Sequence, residues 1–495
     1  MNQEYGKAQN NKGQRLVKEI KARHLFTMGF GCIIGVGWII ILGDWLTEAG
    51  PLGAILAFSG GAIVIMIVGL CYAELATMMP VSGGEIAYAY EIYGLKTSYI
   101  MGWFLSFAYI AAISFEAISA AWILNTLIEK TKGPLLYFVK SDPVFLGSLI
   151  FALGGTIFLA ILNYRGLKEA AIFQEIMTYG LIAITLVFVS AGLIGGKISN
   201  LEPLFSKTGT GPIIMGVFAV FIMVPFMYSG FNVIPQVMEE KSPNTPLSLA
   251  GRTILISIGG ATIFYLLVIL SASMVSPWKG LMGIELPAAG AFQAAFKSPL
   301  LAKMVLIAGL MGIVTTWNVV FIAASRIIFA LGRAHIIPSI FSRVHPKFGT
   351  PFVSVIFVCI ISCLGIFLGR SAILPIVNVA GGCFAFAFIF SCLGVAKLRR
   401  SKPDLPRPYR APGGIFIPII GFVFSIFMVF LTLYQPFTSS KGSIPMEWFL
   451  IIIWASMGIL FWILARKIRV EISEQERRKL ILGSLATSEK TIENK

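Results

Sequence analysis

The stretch "GFGCIIGVGWII", Gly29 to Ile40, lies inside the first long apolar run of this chain and carries four glycines within nine residues. Each glycine weakens a helix by about 1 kcal/mol relative to alanine. Backbone that is not helical persists at membrane depth only where it is buried in protein or lines a wet cavity. The stretch therefore predicts a helix that is interrupted inside the membrane, and such an interruption indicates a site.

The composition is typical of a polytopic membrane protein. Of 495 residues, 57% are hydrophobic and 13% are charged, whereas charged residues make up about 25% of ordinary soluble domains. The net charge of +16 is concentrated at the ends of apolar runs, which favours a role in membrane topology over binding of nucleic acid. All six cysteines lie in apolar runs, so we expect no disulfide framework. The three histidines lack the spacing of a metal site, and we expect neither metal nor cofactor.

The apolar runs predict twelve membrane spans, since a helix needs about 20 apolar residues to cross the hydrocarbon. An even number places both termini on one side. With that side inside, Lys and Arg favour the inner segments by about three to one, which predicts a plasma-membrane protein with cytoplasmic termini. The predicted spans are 25–46, 52–79, 98–126, 144–163, 170–194, 212–238, 253–276, 302–332, 352–369, 373–396, 414–435 and 446–465.

The sixth span carries a second interruption, "PFMYSGFN", Pro225 to Asn232. Proline removes a backbone donor, and Ser-Gly loosens the next turn. Spans one and six are corresponding members of two five-span halves, and breaks at such positions point to an inverted-repeat transporter site. Free N–H groups at one new helix end attract a carboxylate, and free C=O groups at the other accept from an ammonium group. A zwitterion fits both ends, and Gly35 and Gly37 allow close approach. The alternative is tight helix packing through the GxxxG pair Gly31 and Gly35.

Six short stretches of the chain carry a family resemblance: "IGVGWI" (34–39), "EAGP" (48–51), "YAELATMMPVSGG" (72–84), "YSGFN" (228–232), "ASRIIFALGR" (324–333) and "RPYRAPGG" (407–414). Together they resemble motifs of the amino acid–polyamine–organocation (APC) superfamily of transporters. The resemblance implies an all-α membrane protein with a LeuT-type 5+5 inverted repeat plus two further helices, working by alternating access. It divides the chain into a cytoplasmic tail (1–24), two five-helix repeats (25–194 and 212–396), helices 11 and 12 (414–465) and a second cytoplasmic tail (466–495).

The resemblance also implies site residues. The backbone around Val36 and Gly37 would hold a substrate carboxylate, the carbonyls of Ile33, Phe226 and Ser229 would hold the amine, and Phe226 would cover the site. The family's acid after Gly230 is Asn232 here, and the mid-span-five lysine of some members has no counterpart. Both departures remove groups linked to gating or proton coupling.

Acidic residues inside spans are costly and usually face a cavity or a partner. Glu116, near the middle of span three, is a candidate to bind a substrate cation or carry a proton; the alternative is a structural, neutral glutamate. Glu175 in span five is either a proton site or a partner of Arg165 or Lys168. Glu74, near the inner end of span two, is expected to pair with Arg326.

Two polar residues interrupt span eight, Trp317 and Asn318. Trp317 is a candidate to line the side-chain end of the pocket, although packing is the alternative. The candidate binding set is Ile33, Gly35, Val36, Gly37, Glu116, Phe226, Ser229, Gly230, Asn232 and Trp317.

Together these features predict a secondary active transporter of amino acids or related amines, using proton symport or exchange. A polyamine or organic-cation carrier is the alternative, and a transporter-like sensor or channel is the alternative of another class. An enzyme is disfavoured because the sequence has no HExxH motif, paired intramembrane aspartates or nucleotide loop. The expected partners are the small substrate and the lipid bilayer, not nucleic acid, and the expected state is a monomer or homodimer.

Overall fold

A computed structural model describes residues 16–35, 37–140, 142–282, 287–439 and 445–483. Within these ranges, eleven helices are long and apolar enough to cross a membrane. The predicted ninth span is shorter: its helix covers Phe352–Ile366, 15 residues. At 1.5 Å per residue that is about 22 Å, less than the roughly 30 Å of a hydrocarbon core. The twelve predicted spans thus correspond to eleven spanning helices and one short apolar helix.

The described elements are mostly helices. In chain order they are α1 (Ala22–Ile33), α2 (Gly37–Ile40), α3 (Leu42–Met78), α4 (Gly84–Tyr93), α5 (Leu95–Leu127), β1 (Leu135–Val139), β2 (Asp142–Phe145), α6 (Leu146–Arg165), α7 (Leu167–Gly195), α8 (Thr210–Phe221), α9 (Val224–Met227), α10 (Val233–Gln236), α11 (Leu247–Val275), α12 (Pro287–Phe296), α13 (Pro299–Arg333), α14 (Phe352–Ile366), α15 (Ile373–Ser401), α16 (Phe416–Ser439), α17 (Met446–Leu464), α18 (Arg466–Glu471) and α19 (Glu474–Leu482).

Helix α3 contains the end of the first predicted span and all but the last residue of the second. The two parts meet at Gly50, which has φ 73° and ψ 174° and is followed by Pro51. A Cβ on Gly50 would lie 2.7 Å from backbone atoms of Phe205. A left-handed backbone pressed against another chain segment requires glycine. This residue therefore sets the turn between spans one and two.

The core of the bundle lies around α1. Helices α3 and α11 pack along each other, as do α5 and α13, and α1 contacts α7, α11 and α13. The helices α16 and α17 instead keep many large apolar side chains exposed, such as Phe430 and Ile453. Apolar side chains on the outer surface are what contact with lipid requires, because lipid tails solvate them. The interruption in the first span is thus at the centre of the protein.

A short antiparallel hairpin, β1–β2, joins α5 to α6. The hydroxyl of Tyr137 donates to the carbonyl of Phe367 at 2.7 Å, and Ser371 donates to the carbonyl of Val139 at 2.6 Å. These bonds fasten the hairpin over the end of α14. The apolar pattern of the sequence predicts only helical spans and therefore did not indicate this hairpin.

Candidate functional site

Both interruptions are present in the described residues. Helix α1 ends at Ile33, Ile34 leaves the helical region with φ −93° and ψ 72°, and α2 begins at Gly37. In the sixth span, α9 ends at Met227 and α10 begins at Val233. Val36, expected beside the substrate carboxylate, lies outside the described residues.

The two interruptions touch each other through backbone. Gly230 has φ 141°, and a Cβ on it would lie 2.6 Å from the nitrogen of Ile33 and 2.8 Å from the carbonyl carbon of Cys32. Only a residue without a side chain fits this approach. The glycine in "YSGFN" therefore brings the broken backbone of span six against the broken backbone of span one.

Two threonines of α13 bind the carbonyls left free at the end of α1. Thr315 Oγ1 lies 2.8 Å from the oxygen of Gly31, and Thr316 Oγ1 lies 3.1 Å from the oxygen of Cys32. Thr315 also reaches its own helix, at 2.7 Å from the oxygen of Gly312. The end of a helix inside a membrane needs such donors because lipid supplies none. The sequence did not reveal this role, since nothing local distinguishes these hydroxyls from ones that bond their own helix.

Tyr265 of α11 joins the two interruptions. Its hydroxyl lies 2.8 Å from the carbonyl oxygen of Ile33 and 3.0 Å from that of Met227. A hydroxyl has one proton, so it donates to one of these oxygens at a time. Each carbonyl has two lone pairs, and acceptor capacity therefore remains at Ile33, the residue expected to hold the substrate amine.

The loop of the sixth span is held by its own side chains. The carbonyl of Phe226 accepts from the backbone N–H of Ser229 at 3.0 Å and from its hydroxyl at 2.6 Å. Asn232 Oδ1 accepts from the N–H of Gly230 at 2.9 Å. The Phe226 ring meets Phe115 edge-on, with centroids 5.5 Å apart. Asn232 thus caps the turn as a neutral group, and Phe226 is already packed against α5.

Glu116 of α5 lies at the first interruption. A Cβ on Gly35 would lie 2.9 Å from Glu116 Oε1 and 2.9 Å from Thr316 Oγ1. Glu116 is 2% exposed, and its Oε2 has no hydrogen-bond partner among the described residues. A buried carboxyl group needs a proton, a cation or donors. The carboxyl is therefore placed to receive an ammonium group or a proton beside the broken backbone.

Trp317 and Asn318 contact neighbouring helices. The Trp317 ring lies against Gly155 of α6, where a Cβ would overlap it. Asn318 Nδ2 donates to Gln174 Oε1 at 3.2 Å, and its Oδ1 accepts from Asn163 Nδ2 at 3.1 Å. These contacts tie α13 to α6 and α7. Packing therefore accounts for the burial of Trp317, and its place in a binding pocket stays a prediction.

Glu175 pairs with other partners than expected. Its carboxylate lies 3.3 Å from Arg23 Nε and 3.3 Å from His24 Nε2, rather than with Arg165 or Lys168. Lys168 is seven residues away, about 10 Å along the helix axis, and its Nζ instead lies 3.8 Å from Glu19 Oε1. The pairing fastens α7 to the beginning of α1, the helix that ends at the first interruption.

The expected pair of Glu74 with Arg326 is wrong. Glu74 accepts from Arg399 Nε at 3.0 Å and lies 3.3 Å from Arg407 Nε, so it fastens α3 to the "RPYRAPGG" loop. Arg326, fully buried, instead meets Glu240 at 2.9 and 3.2 Å. Arg326 projects toward the segment after α10, and Glu240 of that segment was not among the expected partners.

The chain matches known proteins over most of its length. A sequence model of the amino acid permease family matches residues 20–460. The chain is 30% identical over 432 residues to the branched-chain amino acid permease BcaP of Bacillus subtilis, covering 84% of this chain and 88% of the relative. It is 26% identical over 461 residues to a methylthioribose transporter of the same organism, covering 92% and 94%. It is 28% identical over 432 residues to the human large neutral amino acids transporter small subunit 2, covering 86% and 77%.

Proposed function

This chain belongs to the amino acid permease family, whose matched members are permeases and transporters rather than enzymes, and we propose that it is a secondary active transporter of amino acids. The family membership confirms the APC resemblance, and the helices agree with a multi-pass membrane protein. In this proposal the chain works by alternating access, with its two five-helix repeats related by inverted topology and both termini in the cytoplasm.

The substrate binds where the two interruptions meet. The observation that carries this proposal is the contact of Gly230 with the backbone of Ile33, beside the Glu116 carboxyl group. The substrate carboxylate lies at the N–H groups that begin α2 at Gly37. The amine lies at the carbonyls of Ile33 and Ser229. The Phe226 carbonyl accepts a hydrogen bond from the Ser229 hydroxyl, so the amine binds there only by replacing that hydroxyl.

Two carboxyl groups are candidates for coupling. Glu116 binds either a proton or a cationic part of the substrate, since its Oε2 has no partner among the described residues. Glu175 is fastened to Arg23 and His24 at the beginning of α1. The pair lies beside the hydrogen bonds that Gln174 and Thr178 of α7 give to the Thr27 carbonyl of α1, and this place at the start of the first span makes Glu175 the second candidate for proton coupling. The transport mode is proton symport or exchange.

The names of two relatives and the apolar surroundings of the site support a neutral amino acid as the substrate. BcaP is named for branched-chain amino acids, and the human relative for large neutral amino acids; the apolar surroundings of the interruptions, including Phe115 and Phe226, fit such side chains. A second candidate, a carrier of polyamines or other organic cations, is favoured by one observation, the unpartnered oxygen of the buried Glu116.

Thermal-shift screening distinguishes these substrates. The purified protein is heated with leucine, isoleucine, arginine or spermidine, because a bound ligand raises stability by about 2.7 kcal/mol at 100 times its Kd. We expect leucine and isoleucine to raise the Tm. A shift with spermidine alone supports the cation carrier, and no shift with any amino acid or amine contradicts the proposal.

Uptake by proteoliposomes tests the site. Gly37→Leu should abolish uptake of the stabilising ligand while the protein remains in the membrane, because the new side chain, whose Cβ would lie 2.6 Å from Met227 Sδ, fills the space between the interruptions that we propose for the substrate carboxylate. Gly154→Leu is the matched control, since a Cβ on Gly154 of α6 has no described atom within 4 Å. Normal uptake by Gly37→Leu would place the substrate elsewhere.

A further inference from the structure

A buried carboxyl group lies outside both interruptions. Glu85 of α4 is 0% exposed, and its Oε2 accepts a short hydrogen bond from Nε2 of Gln236, the last residue of α10. Oε1 of Glu85 and Oε1 of Gln236 are both buried and have no hydrogen-bond partner among the described residues. The pair therefore has two acceptor oxygens that lack a donor. One proton would satisfy both, because a neutral carboxylic acid donates as well as accepts.

Helix α10 rests directly on α4. A Cβ on Gly84, next to Glu85, would lie 2.8 Å from Pro235 Cβ and 2.9 Å from the carbonyl oxygen of Pro235. Helix α10 also contacts α1. Gln236 is only four residues beyond Asn232, which caps the second interruption. A change in the Glu85–Gln236 contact thus reaches the proposed substrate site through one turn of helix.

No cation pairs with Glu85 in the described part of the chain, and its neighbours are neutral groups. Three phenols face it, Tyr72 from α3, Tyr88 from α4 and Tyr109 from α5, and Cys392 of α15 lies next to Tyr72. The hydroxyls of Tyr88 and Tyr109 have no hydrogen-bond partner among the described residues.

The nearby cations are already engaged. On α13, Arg326 binds Glu240 and Arg333 binds Glu239, each through two hydrogen bonds. On α15, Lys397 donates to the carbonyl of Ile92 at 2.7 Å. Burial raises the pKa of Glu85 to about 8; its own backbone N–H, the hydroxyl of Tyr72 and the amide of Gln236 only partly oppose that rise.

We propose that Glu85 is a proton-binding site, and that one proton shared by Glu85 and Gln236 latches the second half of the interrupted sixth span, α10, onto α4. With the proton, the Glu85 O–H donates to Gln236 Oε1 while Gln236 N–H donates to Glu85 Oε2. Two complementary hydrogen bonds then leave no acceptor of the pair unsatisfied. Only one consequence of this latch, the coupling of proton binding to transport, rests on the proposed transport function.

Loss of the proton weakens the contact between α10 and α4. A carboxylate then faces the amide oxygen of Gln236 in a buried setting, where like partial charges repel strongly. The phenols of Tyr88 and Tyr109, which have no partner among the described residues, are donors that the carboxylate can use once α10 has moved away. Proton release and departure of α10 therefore favour each other, as linkage requires of two events that share one equilibrium.

The test uses a cysteine on α10. In a chain whose native cysteines are replaced, Ile234→Cys puts a thiol at a position that is fully buried, and the rate of maleimide labelling is measured from about pH 6 to 9. Relative to the same chain carrying Glu85→Gln, we expect labelling to rise as the proton leaves, by up to about tenfold per pH unit for a single proton. Gln236→Ala should give fast labelling at every pH.

In the Glu85→Gln chain two amides pair at every pH, so any change of its labelling rate with pH comes from the maleimide reaction itself. Comparison with this chain therefore isolates the effect of the Glu85 proton. Glu169→Gln, a change at an exposed residue of α7, should behave like the chain that keeps Glu85. Equal pH dependence of labelling with and without the Glu85→Gln substitution would overturn the proposal. Slow labelling of the Gln236→Ala chain would also overturn it.

Transport is measured separately with leucine in proteoliposomes. Glu85→Gln should lose accumulation driven by a pH gradient while keeping leucine counterflow, which needs no net proton movement. Accumulation equal to that of the unchanged protein would refute coupling through Glu85. If the unchanged protein shows no counterflow of leucine, the proposed transport of leucine fails, and the labelling result still decides the latch.

Discussion

The hydroxyl of Tyr265 should hold the two interruptions together, and Tyr265→Phe removes it without changing the ring. The hydroxyl serves the carbonyls of Ile33 and Met227, at 2.8 and 3.0 Å. A buried acceptor left without its donor costs about 1–3 kcal/mol. Tyr265→Phe imposes this cost on the closed interruptions only, because the carbonyls are hydrated when the two interruptions separate. The equilibrium constant for opening should therefore rise by about 5- to 150-fold.

Cys32 reports this opening, because it is 3% exposed and its carbonyl carbon lies under Gly230. The assay follows its alkylation by N-ethylmaleimide in a chain that keeps no other cysteine. Tyr265→Phe should raise the rate by the same factor, about 5- to 150-fold, and lower the Tm. The control is Tyr179→Phe on α7, whose side chain is 48% exposed and should leave both quantities unchanged. The cysteines to be replaced are Cys71, Cys359, Cys363, Cys383 and Cys392.

Equal alkylation rates for the two variants would refute this reasoning, because the carbonyls would then be satisfied without Tyr265. A lower Tm with an unchanged rate would also count against it. That result would show that the hydroxyl stabilises the bundle but does not hold the interruptions closed.

Gly230→Ala should abolish uptake and lower the Tm. A residue strained at positive φ costs about 1–3 kcal/mol, and the new Cβ would also overlap α1. Gly381→Ala is the control and should retain uptake, because its Cβ would lie at an ordinary 3.7 Å from Phe226. Glu240→Gln should cost about 3–5 kcal/mol by leaving Arg326 charged and buried, so a normal Tm and yield would contradict the role of that pair. Because folding raises the pKa of Glu85 from 4.5 to about 8, its contribution to stability is complete below pH 4.5 and is lost as the pH rises through 8. The expected slope is at most about 1.4 kcal/mol per pH unit, and Tm measurements on Glu85→Gln should lack it.

The interruptions were predictable from sequence because their causes are local. Glycines at 29–37 and the Pro225 and Gly230 pair weaken helices wherever they occur. The turn at Gly50 lies in the predicted gap between spans one and two, but its contact with Phe205 was not predicted, because Phe205 is remote in sequence. The short ninth helix was not predicted either, because hydropathy reports which residues are apolar and not where the helix ends.

The partners of polar groups were harder to predict. Glu175 and Glu74 were each assigned a cation near the inner ends of the spans, and helix packing gives each of them a different partner. Tyr265 was not a candidate because a tyrosine in an apolar span more often packs than bonds to a broken helix. Glu85 was missed for a different reason: it follows "PVSGG", which reads as a polar turn between spans, whereas the structure buries it completely.

The neutral cap of the second interruption has a consequence for coupling. Asn232 gives the Gly230 N–H the same kind of acceptor oxygen that an acid would give, so the turn keeps its shape without a charge. A cap that does not titrate cannot make this turn respond to protons. Any proton sensitivity of the sixth span must then come from a group that touches it from another element. Glu85 meets this requirement through Gln236, at the end of the short helix that begins right after Asn232. The titratable group that Asn232 lacks is therefore supplied by α4, against which the end of α10 packs.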